Sequence, residues 1–177
     1  MRKELKGNLG LFLVCAEITK INLIALPTSR NTKGIDLIIL DDETNRSVGL
    51  QVKCSDRNEY PVINSYWDNY KKEIQRKIIS PFVFVDISDI SNINNPKYFI
   101  LSREETINVL TEVIEQYIAR YLQKKNQTRD EVIRERKKAG KKKDVWVIKQ
   151  ELIKKYEGKW DTVLNILKKK SLTSGCT

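Results

Sequence analysis

The feature that most constrains this chain is a set of short β-branched runs set between helical patterns. Ile35-Asp36-Leu37-Ile38-Ile39-Leu40, Val48 to Lys53 and Phe82-Val83-Phe84-Val85-Asp86-Ile87 read as strands. The polar stretch Asp41 to Ser47 joins the first two into a hairpin with a long loop. Asn22 to Leu26, closed by Pro27, and Lys97 to Leu101 add two more strands. Leu5 to Lys20 is helical and apolar on most sides, so it is expected to be largely buried. A second helix is expected over Asn69 to Ile79, stopped by Pro81. A third follows Ser102 and Glu105, spaced as a capping box, and shows one apolar face through Ile107, Leu110, Ile114, Tyr117, Ile118 and Tyr121. Strands alternating with helices require an α/β fold with a mixed sheet flanked by helices. Beyond these lie a short strand at Val145 to Ile148, a helix from Glu151 to Glu157, and a last helix capped by Asp161.

The 177 residues amount to about one domain. Its charge is unevenly placed. Residues 1–119 carry a net charge of −1, residues 120–143 carry +8 and residues 144–177 carry +3, so the whole surplus of +10 lies in the C-terminal third. The organisation expected is a core over 1–122, a basic connector or arm over 123–143, and a C-terminal segment over 144–177 that packs on the core. The basic stretch reads either as a solvated, mobile connector or as an arm that grips a polyanion, with nucleic acid favoured over a membrane surface. Histidine is absent, which excludes imidazole triads and His-ligated zinc. Cys15, Cys54 and Cys176 are odd in number and widely spaced, consistent with a reducing cytoplasmic setting; the first two read as small buried hydrophobes. The apolar stretch Leu9 to Ala16 is too short to span a membrane.

Chemistry concentrates at the hairpin. Gln51 and Lys53 project to one face of their strand while Val52 points to the other. A turn centred near Thr44 sets Asp36 opposite Val52, within reach of both. An aspartate oxygen and an amide oxygen are hard ligands suited to Mg²⁺ or Mn²⁺, and a lysine beside them can orient or deprotonate a water or offset charge in a phosphodiester transition state. The alternative is an ordinary strand start at Asp36 with Gln51 and Lys53 on an exposed polar face.

Gly7-Asn8-Leu9-Gly10 opening an apolar helix, Lys33-Gly34-Ile35-Asp36-Leu37-Ile38-Ile39, and Val48-Gly49-Leu50-Gln51-Val52-Lys53-Cys54-Ser55 together resemble the PD-(D/E)XK nuclease superfamily. The resemblance covers residues 6–101 and is to the branch with Gln-X-Lys, which includes certain group I intron homing endonucleases and small uncharacterised bacterial proteins. Lys155-Tyr156-Glu157-Gly158-Lys159-Trp160-Asp161 is similar to the C-terminal end of some of the latter. The resemblance implies a restriction-endonuclease-like αβββαβ core, Asp36 and Gln51 as metal ligands, Lys53 as the catalytic lysine, and double-stranded DNA as substrate, with a homodimer suited to cutting both strands. One departure stands out: where the resembling proteins carry a helix glutamate, this chain has Leu11, which reads as a core residue. Glu17 lies about 120° around the helix from that position; Glu4 lies within about 20° and is the candidate replacement ligand.

Arg30, Lys33, Ser55 and Arg57 flank the hairpin and are candidate nucleic-acid contacts, as are Lys137, Lys138, Lys141 and Lys142 in the basic stretch. Tyr66, Trp67 and Tyr70 either stack on bases or, the better reading, pack the next helix. Three functions remain open: a metal-dependent DNA endonuclease, a nucleic-acid-binding protein on the same fold that has lost cutting, and a basic protein-interaction module.

Overall fold

The computed structural model describes residues 1–29, 34–89 and 95–169. The elements run α1 (Lys3–Lys20), β1 (Ile24–Pro27), β2 (Leu37–Asp41), β3 (Arg46–Ser55), β4 (Glu59–Ser65), α2 (Tyr70–Lys77), β5 (Phe82–Asp86), β6 (Lys97–Leu101), α3 (Arg103–Lys125), α4 (Arg129–Lys138), β7 (Asp144–Lys149), α5 (Gln150–Ile153) and α6 (Asp161–Lys169). Five strands form a mixed sheet in the order β1-β2-β3-β5-β6, in which only the β3–β5 pair is parallel. β4 and β7 form a separate antiparallel pair.

β5 explains why the sheet is covered on both sides. Each of its residues is buried: Phe82 and Phe84 join the aromatic core with α2, α3 and the β4–β7 pair, while Val83 and Val85 join the core under α1 and α6. A strand apolar on both faces is the pattern of a central strand. Removing the Phe84 ring would cost about 3–5 kcal/mol.

Helix α1 is less buried than its composition suggests. Only Gly10, Val14 and Ile18 are inside, with Phe12 62% and Leu5 48% exposed. One layer lies beneath α1, so its far side stays open. Gly10 is a point of close approach: a Cβ there would stand 2.4 Å from Cys54 Cβ on β3. No helix among the described residues is long and apolar enough to cross a membrane.

Two elements differ from the sequence expectation. The segment around Pro61 is strand β4, with Pro61 beside a register shift, the kind of irregularity at which a strand tolerates proline. Its partner β7 is some eighty residues on, and local pattern carries no trace of that pairing. The basic stretch, expected as a connector or arm, holds α4. Thr128 and Glu131 make a reciprocal capping box, Val132 is buried, Arg129 donates to the Trp67 carbonyl, and Arg136 pairs with Asp144. Asp144 also accepts from the Trp67 indole N–H at 2.7 Å. Trp67 and Tyr70 are buried, in keeping with packing, whereas Tyr66 is exposed with Lys143 over its ring.

Candidate active site

The hairpin register pairs Leu37 with Leu50, which sets Asp36 across from Gln51, one residue from the expected alignment. Beyond Leu37 the β2–β3 ladder gives way to a side chain: the Val52 N–H donates to Asp36 Oδ2 at 2.8 Å, while the Asp36 N–H donates to the Leu50 carbonyl at 2.8 Å. The carboxylate is therefore held on the backbone between Gln51 and Lys53, and its Oδ1 makes no hydrogen bond among the described residues. Leu37 and Leu50 face the α1 side of the sheet, so Asp36, Gln51 and Lys53 share the opposite face.

Burial depresses the affinity of the Lys53 amine for its proton; the Asp36 charge opposes that shift and the Lys3 charge adds to it. A half-buried lysine whose pKa is lowered by burial gives up its proton more readily than an exposed one, and the carboxylate beside it fixes where that exchange takes place. Lys3 was not singled out from sequence. It lies in the first turn of α1 next to the exposed Glu4, so the end of α1 near Lys53 presents a cation. Leu11 is partly buried against the core under α1, in accord with its reading as a core residue.

Gln51 lines a cleft of about 420 Å³ with Gly34, Val62, Ile63, Arg76, Lys77, Ile78 and Ile79. Arg76 and Lys77, at the end of α2, were also missed. Both are ion-paired with Glu73, at 2.9 and 3.0 Å, and together they pull its carboxyl pKa down to about 2. Lys77 also donates to the Asn64 carbonyl of β4 at 2.7 Å. The sequence showed a basic helix end but not that it borders Gln51, because that depends on how α2 docks.

The proposed flanking contacts divide. Ser55 is only 5% exposed, and its hydroxyl accepts the Arg57 N–H at 3.1 Å in the β3–β4 turn. Arg57 is exposed in that turn. Arg30 and Lys33 lie outside the described residues, as does Cys176. Lys137 pairs with Asp68 at 2.8 Å, while Lys138, Lys141 and Lys142 are exposed. The turn after β3 is tied to α1 by the Lys6–Asp56 ion pair. Cys54, facing α1, has its thiol pKa pushed up to about 12 by burial, which rules it out as a nucleophile at neutral pH.

Among the described residues, no three His, Cys, Asp or Glu side chains converge as a metal cluster. The hairpin offers one carboxylate and one amide oxygen, a sparse, hard donor set of the kind that leaves Mg²⁺ most of its waters. Comparison with protein-family models, curated proteins and solved structures returns no match.

Proposed function

We propose that the chain is a metal-dependent endonuclease of the PD-(D/E)XK type, hydrolysing phosphodiesters of double-stranded DNA at Asp36, Gln51 and Lys53. The observation that carries this reading is the Asp36 carboxylate fixed on the Val52 N–H between Gln51 and a lysine of lowered pKa. Support also comes from the order α1, β1, β2, β3, α2, β5, which follows the restriction-endonuclease-like αβββαβ succession with β4 inserted and β6 added after it. Asp36 Oδ1 and the Gln51 amide oxygen would hold Mg²⁺ or Mn²⁺, which when bound supplies Lewis acidity at the scissile phosphate. Glu4, exposed in the first turn of α1, is the remaining candidate ligand.

Lys53 is the proton acceptor or orienting group for the attacking water, and in its protonated form it offsets charge on the phosphorane-like transition state. Arg76, 62% exposed at the cleft rim, is placed to exchange Glu73 for a DNA phosphate. A homodimer would supply the second site for cutting both strands.

A second reading, nucleic-acid binding without cutting, is favoured by one specific arrangement: Leu11 packs in the core, and the charge acting on Lys53 from α1 is the Lys3 cation. Supercoiled plasmid incubated with the protein and Mg²⁺, Mn²⁺ or chelator separates the two. Metal-dependent nicking that disappears in Asp36→Ala supports the nuclease. Salt-sensitive binding with no nicking in either metal supports the second reading.

A further inference from the structure

The largest cleft among those characterised, about 740 Å³, lies between α3 and β7, on the β7 side of the β4–β7 pair, whereas the Gln51 cleft borders β4. Three cations line it: Arg120 and Lys124 on one face of α3, with Lys149 across on β7. None of the three makes an ion pair among the described residues. Of its two carboxylates, Asp144 is already committed to Arg136 and the Trp67 indole, which leaves Glu151.

Between the cations lies apolar and aromatic surface. Tyr117 is 45% exposed, and its ring is braced edge-on by Trp67 and Trp146, so it is held as a rigid platform. Val145 is 55% and Leu152 43% exposed in the same cleft. A duplex offers a surface mainly its phosphates, since its bases are stacked inside. Cations interleaved with an exposed ring and aliphatic groups match a strand whose bases are accessible. Tyr117 and Lys124, seven residues apart on α3, are separated by about 10 Å along the helix axis.

We propose that the cleft between α3 and β7 is a binding site for single-stranded polynucleotide, with Tyr117 stacking on a base and Arg120, Lys124 and Lys149 contacting phosphates. This site is separate from the hairpin and does not depend on cleavage there.

Fluorescence anisotropy with the full chain tests it, using labelled oligo(dT) and oligo(U) of twelve nucleotides, a blunt duplex of equal length and a poly-glutamate peptide as probes. The single strands are expected to bind more tightly than the peptide and, unlike the duplex, to lose affinity in the cleft variants below; whichever of the two single strands binds better identifies DNA or RNA as the ligand. Tyr117→Leu, with its melting temperature checked against wild type, should weaken single-strand binding about tenfold. Val145→Glu, at an exposed position, should weaken it without disturbing packing. Arg120→Ala with Lys124→Ala should lower the slope of log affinity against log salt by about 1.4, at about 0.7 for each phosphate contact. No single-strand binding, binding indifferent to all these variants, or equal binding of poly-glutamate would each overturn the proposal; the last would mark a groove for acidic protein. Asp36→Ala separates the two readings: it should bind the oligonucleotides as wild type does while losing any nicking.

Discussion

Gly10 and Gly7 both stand in α1, yet replacing each with alanine should move stability in opposite directions. At Gly10 the new Cβ would lie 2.4 Å from Cys54 Cβ and 3.0 Å from its sulfur, so α1 and β3 must part by about 1 Å to regain ordinary carbon contact. Overpacking of this kind costs about 1–3 kcal/mol. The gain in helix propensity returns about 1 kcal/mol. The net loss is about 1 kcal/mol, a fall in melting temperature of about 2–4 °C for a chain of this size. At Gly7 nothing lies within 4 Å of the added carbon, so only the propensity gain applies and the melting temperature should rise by a similar amount. The propensity term cancels between the two variants, and their difference, about 2 kcal/mol, isolates the contact that seats α1 on the strand bearing Gln51 and Lys53. Thermal or urea denaturation of both variants measures it. If Gly10→Ala proves as stabilising as Gly7→Ala, the close approach of α1 to β3 is wrong.

Lys53→Met should raise stability at neutral pH, because the folded state there holds an ammonium that burial disfavours. The lowered pKa means that, between its folded value and that of an ordinary lysine, the unfolded chain binds the extra proton. Wild-type stability should therefore rise with pH across that window, and the rise should be absent in Lys53→Met by denaturation at several pH values. Thr128→Ala removes the α4 capping box and should cost about 1 kcal/mol, with amide exchange rising first in α4. Lys3→Glu should raise the Lys53 pKa and shift any pH-dependent rise in nicking upward. Leu11→Glu, by contrast, should destabilise by about 1–3 kcal/mol, because it sets a carboxyl against the core under α1.

What sequence made legible was local. Alternation in Gln51-Val52-Lys53, the β-branched runs and the Ser102–Glu105 box follow from period and capping, and α3 begins with that box in place. The hairpin alignment was out by one residue because a polar stretch of seven, Asp41 to Ser47, admits neighbouring registers, while the Val52 N–H contact to Asp36 arises where the ladder ends. β4 was hidden because Pro61 argues against a strand and its partner is remote in sequence. The basic stretch misled through composition: its Thr128-x-x-Glu131 cap was readable, but the anchors of α4 at Trp67, Asp68 and Asp144 are tertiary. Lys3, Arg76 and Lys77 escaped notice for the same reason, since docking of α1 and α2 decides what borders the hairpin.

The most direct measurement is the single-turnover rate of plasmid nicking in Mg²⁺ by folded wild type, Asp36→Ala, Gln51→Ala and Lys53→Ala, with Lys20→Ala, exposed at the far end of α1, as a control. A hundredfold or greater loss in Asp36→Ala and Lys53→Ala, a smaller loss in Gln51→Ala, and little change for Lys20→Ala at saturating DNA is the expected result. Nicking that persists at the wild-type rate in both Asp36→Ala and Lys53→Ala would contradict the assignment of the site.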